Sequence, residues 1–214
     1  MLQFARDSTA ADWGEFAHIT GYWFLDCPGD WQPPRDRVNF LEAGSPPVCV
    51  GFGSTLSRDT KQMADLVLKA LAQSHQRGLL VAGWDGLSQS DLPPDVFMVD
   101  TVPFDGLFPR VAAAVQHGGA GTTACAWRAG IPSVVVPFAL DQLFGCRLVS
   151  RSETGPEPIP LKQITVDRLA YAIRLAVMDQ PTRTRAAALG EKIRSEDGVE
   201  NAVRIIEQVI LRRN

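Results

Sequence analysis

The turn at residues 117–121, which reads HGGAG, carries the residue types best suited to chemistry in this chain. Glycines let backbone N–H groups converge on a ligand, and a helix that begins behind them adds the positive end of its dipole. Such a turn suits a phosphate or a diphosphate. The alternative is a tight turn without a ligand, in which His117 is a hydrogen-bonded core histidine. A glycine-rich turn alone does not decide between the two.

The segments around this turn predict a strand, turn, helix, strand unit. Residues 111–115 are a short apolar run typical of a buried strand. Residues 124–129 predict a small-residue helix, which two threonines open and Gly130 ends. The apolar, β-branched residues 133–136 predict the next strand. The turn therefore sits between a strand and the start of a helix.

The composition excludes several functional classes. A net charge of -3 over 214 residues, with no dense run of Lys and Arg, argues against nucleic acid as the main partner. No stretch of about 18 apolar residues predicts a membrane span. The N-terminus has no secretory signal pattern, so we expect a cytoplasmic protein. The four cysteines are widely spaced and there are only three histidines, so no metal site is predicted.

The chain divides into two parts by its pattern. Residues 1–46 are irregular and rich in tryptophan and proline, which predicts a strap packed on the next domain or a linker from a neighbouring one. Residues 47–214 alternate short apolar runs with amphipathic segments and predict one domain. Its strands are expected at 48–52, 79–82, 96–99, 111–115 and 133–136. This alternation predicts an α/β fold, a Rossmann-like doubly wound parallel sheet with helices on both faces, plus the irregular N-terminal strap.

Residues atypical of core packing follow each predicted strand. In an open parallel sheet, ligands bind beyond the carboxyl ends of the strands, so these residues should meet at one edge. This convergence favours a binding site more strongly than the glycine turn does alone. The residues are, in strand order, Ser54, Trp84, Val102 with Pro103, the HGGAG turn, and Asp141 with Gln142.

Each of these loops also has a purely structural interpretation. Ser54 is as consistent with a helix cap as with a phosphate contact. Trp84 is as consistent with a hydrophobic lid over the sheet edge as with a stacking partner for a ring. Asp141 and Gln142 suit a helix cap, although paired acceptor and donor side chains also suit sugar hydroxyls. The residues alone leave these alternatives open.

The run HGGAGTTACAWRAGIPSVVVPFALDQ resembles the donor-binding signature of family-1 glycosyltransferases of the GT-B fold. The motif is most similar in sequence to that of the sterol and macrolide glucosyltransferase branch. The resemblance extends to GYWFLD in the strap, to PVCVGFGS at the first strand and to GPEPIPLKQIT before the late helices. It therefore covers nearly the whole chain.

The resemblance implies a site for a nucleotide sugar, UDP-glucose above all, as a co-substrate, with no metal and no other cofactor. The main chain of Val102 and Pro103 would hold the base, with Trp84 nearby. Asp141 and Gln142 would hold the sugar hydroxyls. The diphosphate would be bound by Ser54, His117, Gly119, Ala120, Gly121 and Thr122. The implied reaction is inverting transfer of the sugar to a hydroxyl of a lipophilic acceptor, such as a sterol or polyketide.

The chain departs from the family pattern in three places. Gln116 stands where the family usually has a second histidine before the glycines. Residues 141–146 lack the usual proline and tryptophan, which leaves the donor preference open. The family's catalytic histidine belongs to an N-terminal acceptor domain that nothing here matches, and His18 lies where that domain would end. No catalytic residue is therefore assigned, and the chain is interpreted as the donor-binding C-terminal half.

Three hypotheses follow from the resemblance. The first is the donor half of a glucosyltransferase, which needs the N-terminal acceptor-binding domain for transfer. The second is a free-standing nucleotide-sugar-binding subunit that works with a separate acceptor-domain protein. The third is a nucleotide-sugar epimerase, which the context of Asp141 and Gln142 disfavours. For the isolated chain we also expect self-association through the cleft face or the strap, and peripheral membrane contact stays open.

Overall fold

The computed structural model describes residues 17–53, 60–81, 83, 84, 87–139 and 142–211. Within these residues, five short strands form one parallel sheet in the order β3-β2-β1-β4-β5. Each strand is a short apolar run, as expected for a sheet that is covered on both faces. The strands are β1 (Val48–Gly51), β2 (Gly78–Val81), β3 (Val96–Val99), β4 (Ala113–Gln116) and β5 (Ser133–Val135).

The strand order reverses at β1, which comes first in the chain and lies at the centre of the sheet. Val50 pairs with Leu80 of β2 on one side and with Val115 of β4 on the other. The chain therefore winds outward in one direction through β2 and β3, and in the other through β4 and β5. A crevice opens at such a switch point, beyond the carboxyl ends of the central strands.

Helices connect the strands and cover both faces of the sheet. Three of them begin at side-chain caps: Thr165 accepts a hydrogen bond from the Arg168 amide (3.2 Å), Asp179 accepts one from the Thr182 amide (2.9 Å), and Asp197 accepts one from the Glu200 amide (2.9 Å). The predicted doubly wound fold is confirmed. The helices are α1 (Arg35–Glu42), α2 (Thr60–Ser74), α3 (Phe104–Leu107), α4 (Ala120–Ala129), α5 (Gln142–Ser152), α6 (Val166–Met178), α7 (Gln180–Arg194) and α8 (Gly198–Leu211).

Alternate residues of the strands enter hydrophobic clusters on the two opposite faces of the sheet. Val48 and Val50 of β1 pack in the core that α2 and α6 complete. Cys49, between them, points to the opposite core, together with Ala126 of α4 and Leu107 of α3. Because both faces are buried, the sheet holds its strand ends in fixed positions and so fixes the loops that follow them.

The described part of the strap that precedes α1, residues 17–34, follows the surface of the domain without regular structure. Asp26 forms an ion pair with Arg128 of α4, and the Cys27 amide donates to Asp105 of α3 (2.5 Å). The Trp31 ring lies against Gly106, where a built Cβ would be 2.8 Å from it. The strap is therefore fixed to α3 and α4. In the part of the chain described, no helix is long and apolar enough to span a bilayer.

Candidate functional site

The glycine turn leads into the N-terminus of α4. Gly119 is the N-cap residue, in extended conformation (φ -63°, ψ 144°), and no side chain of the described residues caps the helix. The Thr123 amide donates to the Gly119 carbonyl at 3.0 Å. The amides of Ala120, Gly121 and Thr122 come before this bond, so they have no acceptor within the helix. Three donors and the positive end of the helix dipole together form an anion-binding position.

The His117 ring lies directly over the start of this helix. A Cβ built on Gly119 would overlap the His117 Nε2 atom, and a Cβ built on Gly53 would lie 3.6 Å from Cε1. The imidazole is half-buried between the end of β1 and the first turn of α4. Only glycine at position 119 leaves room for it. A ligand on the helix N-terminus therefore has His117 beside it.

The loops that follow four of the strands approach each other at this edge. A Cβ built on Gly83, after β2, would lie 2.7 Å from the Gly53 carbonyl oxygen, after β1. A Cβ built on Gly118, after β4, would lie 2.9 Å from the Gln142 carbonyl oxygen, after β5. Gly118 also has φ +94°, which L side chains rarely adopt. The backbones thus come close enough to form one site.

Gln142 is buried at the start of α5, with 4% of its surface exposed. Its Oε1 accepts hydrogen bonds from the Phe138 amide (2.6 Å) and the Ala139 amide (3.1 Å). Among the described residues, its Nε2 has no hydrogen-bond partner. Gln142 therefore stabilises the loop after β5 through its oxygen, and the described residues do not use its Nε2 donor.

Trp84 and the loop after β3 lie deeper than a stacking site requires. Trp84 is 4% exposed and packs against Phe52, with the ring centroids 5.9 Å apart. Its Nε1 is buried and has no acceptor among the described residues. This packing favours the hydrophobic lid over the stacking partner. Val102 is also buried, and half-buried Pro103 precedes α3, so the main chain is what this loop offers a ligand.

Gln116 is the residue whose role the sequence did not reveal. It is 1% exposed at the end of β4, and its Oε1 accepts from Thr123 Oγ1 of α4 (3.2 Å). Its Nε2 donates to Ser133 Oγ of β5 (3.3 Å). A glutamine that ends an apolar strand is the sequence signal that a buried polar contact exists, but its partners depend on the tertiary fold.

Most of the predicted site residues are brought to this one edge. His117 and residues 119–122 form its centre, and Gln142 and Trp84 belong to loops that approach it. Two further predicted residues, Ser54 and Asp141, lie outside the described residues. The contacts of all the predicted site residues with a donor stay predictions.

Comparison with known proteins identifies the family. The model for "Erythromycin biosynthesis protein CIII-like, C-terminal domain" matches residues 80–209, which include the glycine turn and α4. The chain belongs to this family. As a member of the CIII-like C-terminal domain family, it is a C-terminal domain of glycosyltransferases, as the resemblance implied.

Full-length relatives are longer than this chain. It is 40% identical over 195 residues to "Sterol 3-beta-glucosyltransferase UGT80B1" of Arabidopsis thaliana, covering 90% of this chain and 32% of the relative. It is 41% identical over 198 residues to "O-mycaminosyltylonolide 6-deoxyallosyltransferase" of Streptomyces fradiae, covering 92% and 46%. The chain thus spans about 32% of the length of the first of these curated relatives and 46% of the second.

Solved structures of GT-B glycosyltransferases have the same fold. The glycosyltransferase VinC, solved in complex with dTDP, superposes with a TM-score of 0.67 at 26% identity, covering 78% of this chain and 43% of that one. The kitacinnamycin glycosyltransferase gives a TM-score of 0.70 at 25% identity, covering 88% and 47%. This CIII-like domain is therefore one half of a GT-B fold.

Proposed function

We propose that this chain is the donor-binding half of an inverting, UDP-sugar-dependent glycosyltransferase. The observation that carries the proposal is the uncapped N-terminus of α4, with His117 over it, at the switch point of the sheet. A diphosphate placed there accepts hydrogen bonds from the amides of residues 120–122 and from the imidazole. The VinC structure, which holds dTDP, supports a nucleoside diphosphate as the ligand.

The two ends of the donor would lie on either side of the diphosphate. The nucleobase is assigned to the loop of Val102 and Pro103, where main-chain atoms bind its polar edge. The sugar is assigned to Asp141 and Gln142, and the Nε2 of Gln142 donates to one of its hydroxyls. UDP-glucose is the proposed donor, and UDP-sugar is the only co-substrate or cofactor that we assign.

The proposed reaction transfers the sugar to a hydroxyl of a lipophilic acceptor, such as a sterol or polyketide. A base removes the hydroxyl proton as its oxygen attacks the anomeric carbon. The bond from that carbon to the β-phosphate oxygen breaks, and UDP leaves. The amides of α4 and His117 stabilise the charge that develops on the diphosphate. No residue of this chain is assigned as the base, so we infer that it comes from the other half of the enzyme.

The proposed partner is an N-terminal acceptor-binding domain. The relatives continue well beyond the part that this chain matches, which supports a second domain in the full-length enzyme. A cytoplasmic location is proposed for the chain on its sequence alone. The alternative, a free-standing subunit with a separate acceptor-domain protein, is distinguished by the source gene: a longer open reading frame favours the two-domain enzyme.

Calorimetric titration with UDP tests the proposal. We expect the folded chain to bind UDP, and His117→Ala to weaken binding by about 10- to 100-fold, because hydrogen bonds to charged groups contribute about 1.5–3 kcal/mol. His18→Ala is the matched control, since His18 is exposed on the strap, and should leave binding unchanged. Parallel titration with dTDP tests the choice of base. A folded chain that binds neither nucleotide contradicts the proposal.

A further inference from the structure

The buried amide of Gln116 connects three elements below the glycine turn. It joins β4 to Thr123 in the first turn of α4 and to Ser133 at the start of β5. All three side chains are at most 1% exposed. The backbone of Gln116 is fixed as well, because it pairs with Gly51 of β1 and accepts from the Val136 amide at 2.8 Å. The amide is thus a rigid point below the site.

General stability does not require such a network. A buried polar side chain is costly unless it is hydrogen-bonded, and replacing all partners with apolar groups of the same shape can be nearly neutral. Buried networks instead fix one arrangement of the elements that they join. The buried network of Gln116 is therefore explained by a need to hold β4, α4 and β5 in one fixed arrangement.

Thr123 links the Gln116 network to the glycine turn. Its amide makes the helix bond to the Gly119 carbonyl (3.0 Å), and its hydroxyl bonds Gln116. The three amides without an acceptor in the helix belong to the residues just before it. The hydroxyl bond therefore fixes the rotation of α4 about its axis and its height above the sheet. A hydrogen bond weakens steeply when its N–H···O angle falls below about 120°, so a rotation of α4 would weaken bonds from these amides to a phosphate oxygen.

We propose that Gln116 is a positioning residue for the donor diphosphate, which acts through Thr123 on the amides of residues 120–122. This inference rests on the proposed function, since it presupposes a diphosphate on the N-terminus of α4. Gln116 itself is too deeply buried to touch the ligand. Its effect should be confined to the phosphate contacts and should leave the contacts of the nucleobase unchanged.

The ratio of the affinities for UDP and uridine separates this role from a general loss of stability. Uridine carries the base and ribose but no phosphate. We expect Gln116→Met and Thr123→Val each to lower the affinity for UDP by about tenfold, with the affinity for uridine unchanged. The affinity of the double variant for UDP should lie within about twofold of that of the weaker-binding single variant, because both substitutions remove the same hydrogen bond.

Two conservative variants and one matched control complete the experiment. Thr123→Ser keeps the hydroxyl, and Gln116→His keeps one donor and one acceptor, so both should preserve the ratio. Ser74→Ala removes a buried hydroxyl at the end of α2, which donates to the Leu71 carbonyl (2.9 Å) and has no contact with α4. It should lower the melting temperature without changing the ratio. If a variant does not fold, the other position still provides the measurement.

The outcomes distinguish this inference from the proposed function. If the unmodified chain binds UDP, but UDP and uridine weaken together in Gln116→Met and Thr123→Val, Gln116 has only a structural role. An unchanged affinity for UDP in both variants also overturns the inference. If the unmodified folded chain binds no nucleoside diphosphate, the proposed function fails, and this inference fails with it.

Discussion

The side-chain oxygen of Gln142 lies 2.6 Å from the backbone nitrogen of Phe138 and accepts its hydrogen bond. A second bond comes from the Ala139 amide, so the oxygen is committed to the loop after β5. The two halves of the amide group thus have separate roles. The oxygen shapes the loop, and Nε2 is the group that we propose to contact the sugar.

Gln142→Glu should separate these two roles. One carboxylate oxygen can still accept from Phe138 and Ala139, so we expect the fold to be kept. The other replaces the donor with a charged acceptor, which we expect to remove any preference for UDP-glucose over UDP and to weaken UDP-glucose by about tenfold. Calorimetric titration measures the affinities for UDP and UDP-glucose, and a thermal melt measures whether the fold is kept. Equal weakening of the two ligands would indicate that Gln142 does not contact the sugar.

The sheet and its main helices were predictable because their signals are local. Each strand is a short apolar run, and α6 and α8 show helical spacing from a capping residue onward. The short helix α3 was not predicted. Four residues that include Gly106 and follow Pro103 carry little helical signal. Packing of Leu107 and Phe108 in the core stabilises this turn instead.

The site was predictable as a set of loops but not as a set of contacts. Strand order alone brings the loops to one edge, so residues on five loops could be grouped without coordinates. The partners of Gln116 could not be found in this way, because its contact with Ser133 requires that β4 and β5 are neighbours. The depth of Trp84 likewise depends on Phe52 and on the packing below it.

Arg37→Met should stabilise the protein. Arg37 is 8% exposed on the face of α1 that also carries Leu41, and its Nε and Nη1 atoms are buried without an acceptor among the described residues. Burial of an unpaired charged group is unfavourable, so an apolar side chain of similar length should raise the free energy of unfolding by about 1–4 kcal/mol. Chemical denaturation measures it, with the exposed Arg35→Met as control. Destabilisation would show that the guanidinium has a partner in solution.

Cys49 should make the protein less stable at alkaline pH. Burial raises the pKa of its thiol from an ordinary value of 9.0 to about 12. The folded state therefore keeps a proton that the unfolded state loses. The resulting stabilisation is complete below pH 9 and is lost as the pH rises from 9 to 12, by about 4 kcal/mol in all.

Cys49→Val removes this titration while keeping an apolar side chain on β1. We expect its free energy of unfolding to fall less steeply between pH 9 and 12 than that of the unmodified chain. Urea denaturation at several pH values measures both slopes. Val50→Ala on the same strand is the control, since it removes apolar volume but no titrating group, and its slope should match that of the unmodified chain. Equal slopes in all three proteins would contradict the buried neutral thiol.

Helix α8 exposes an apolar stripe that should cause self-association of the isolated chain. Val203, Ile206 and Ile210 lie at helical spacing and are 43%, 55% and 56% exposed. The strap adds Trp23 nearby, because its indole bonds Thr20, whose carbonyl accepts from Asn201 of α8. Contiguous apolar surface of this kind is typical of protein contacts. We expect the proposed N-terminal acceptor-binding domain to cover it.

Light scattering and sedimentation across a range of concentrations measure this association. We expect the unmodified chain to increase in apparent mass, and Ile206→Glu combined with Ile210→Lys to stay monomeric. The introduced Glu and Lys are four residues apart and can form an ion pair that stabilises the helix, so unfolding of α8 should not be the cause of the change. Arg204→Gln on the same helix is the control and should associate like the unmodified chain. A monodisperse monomer at high concentration would show that the stripe does not bind a second copy.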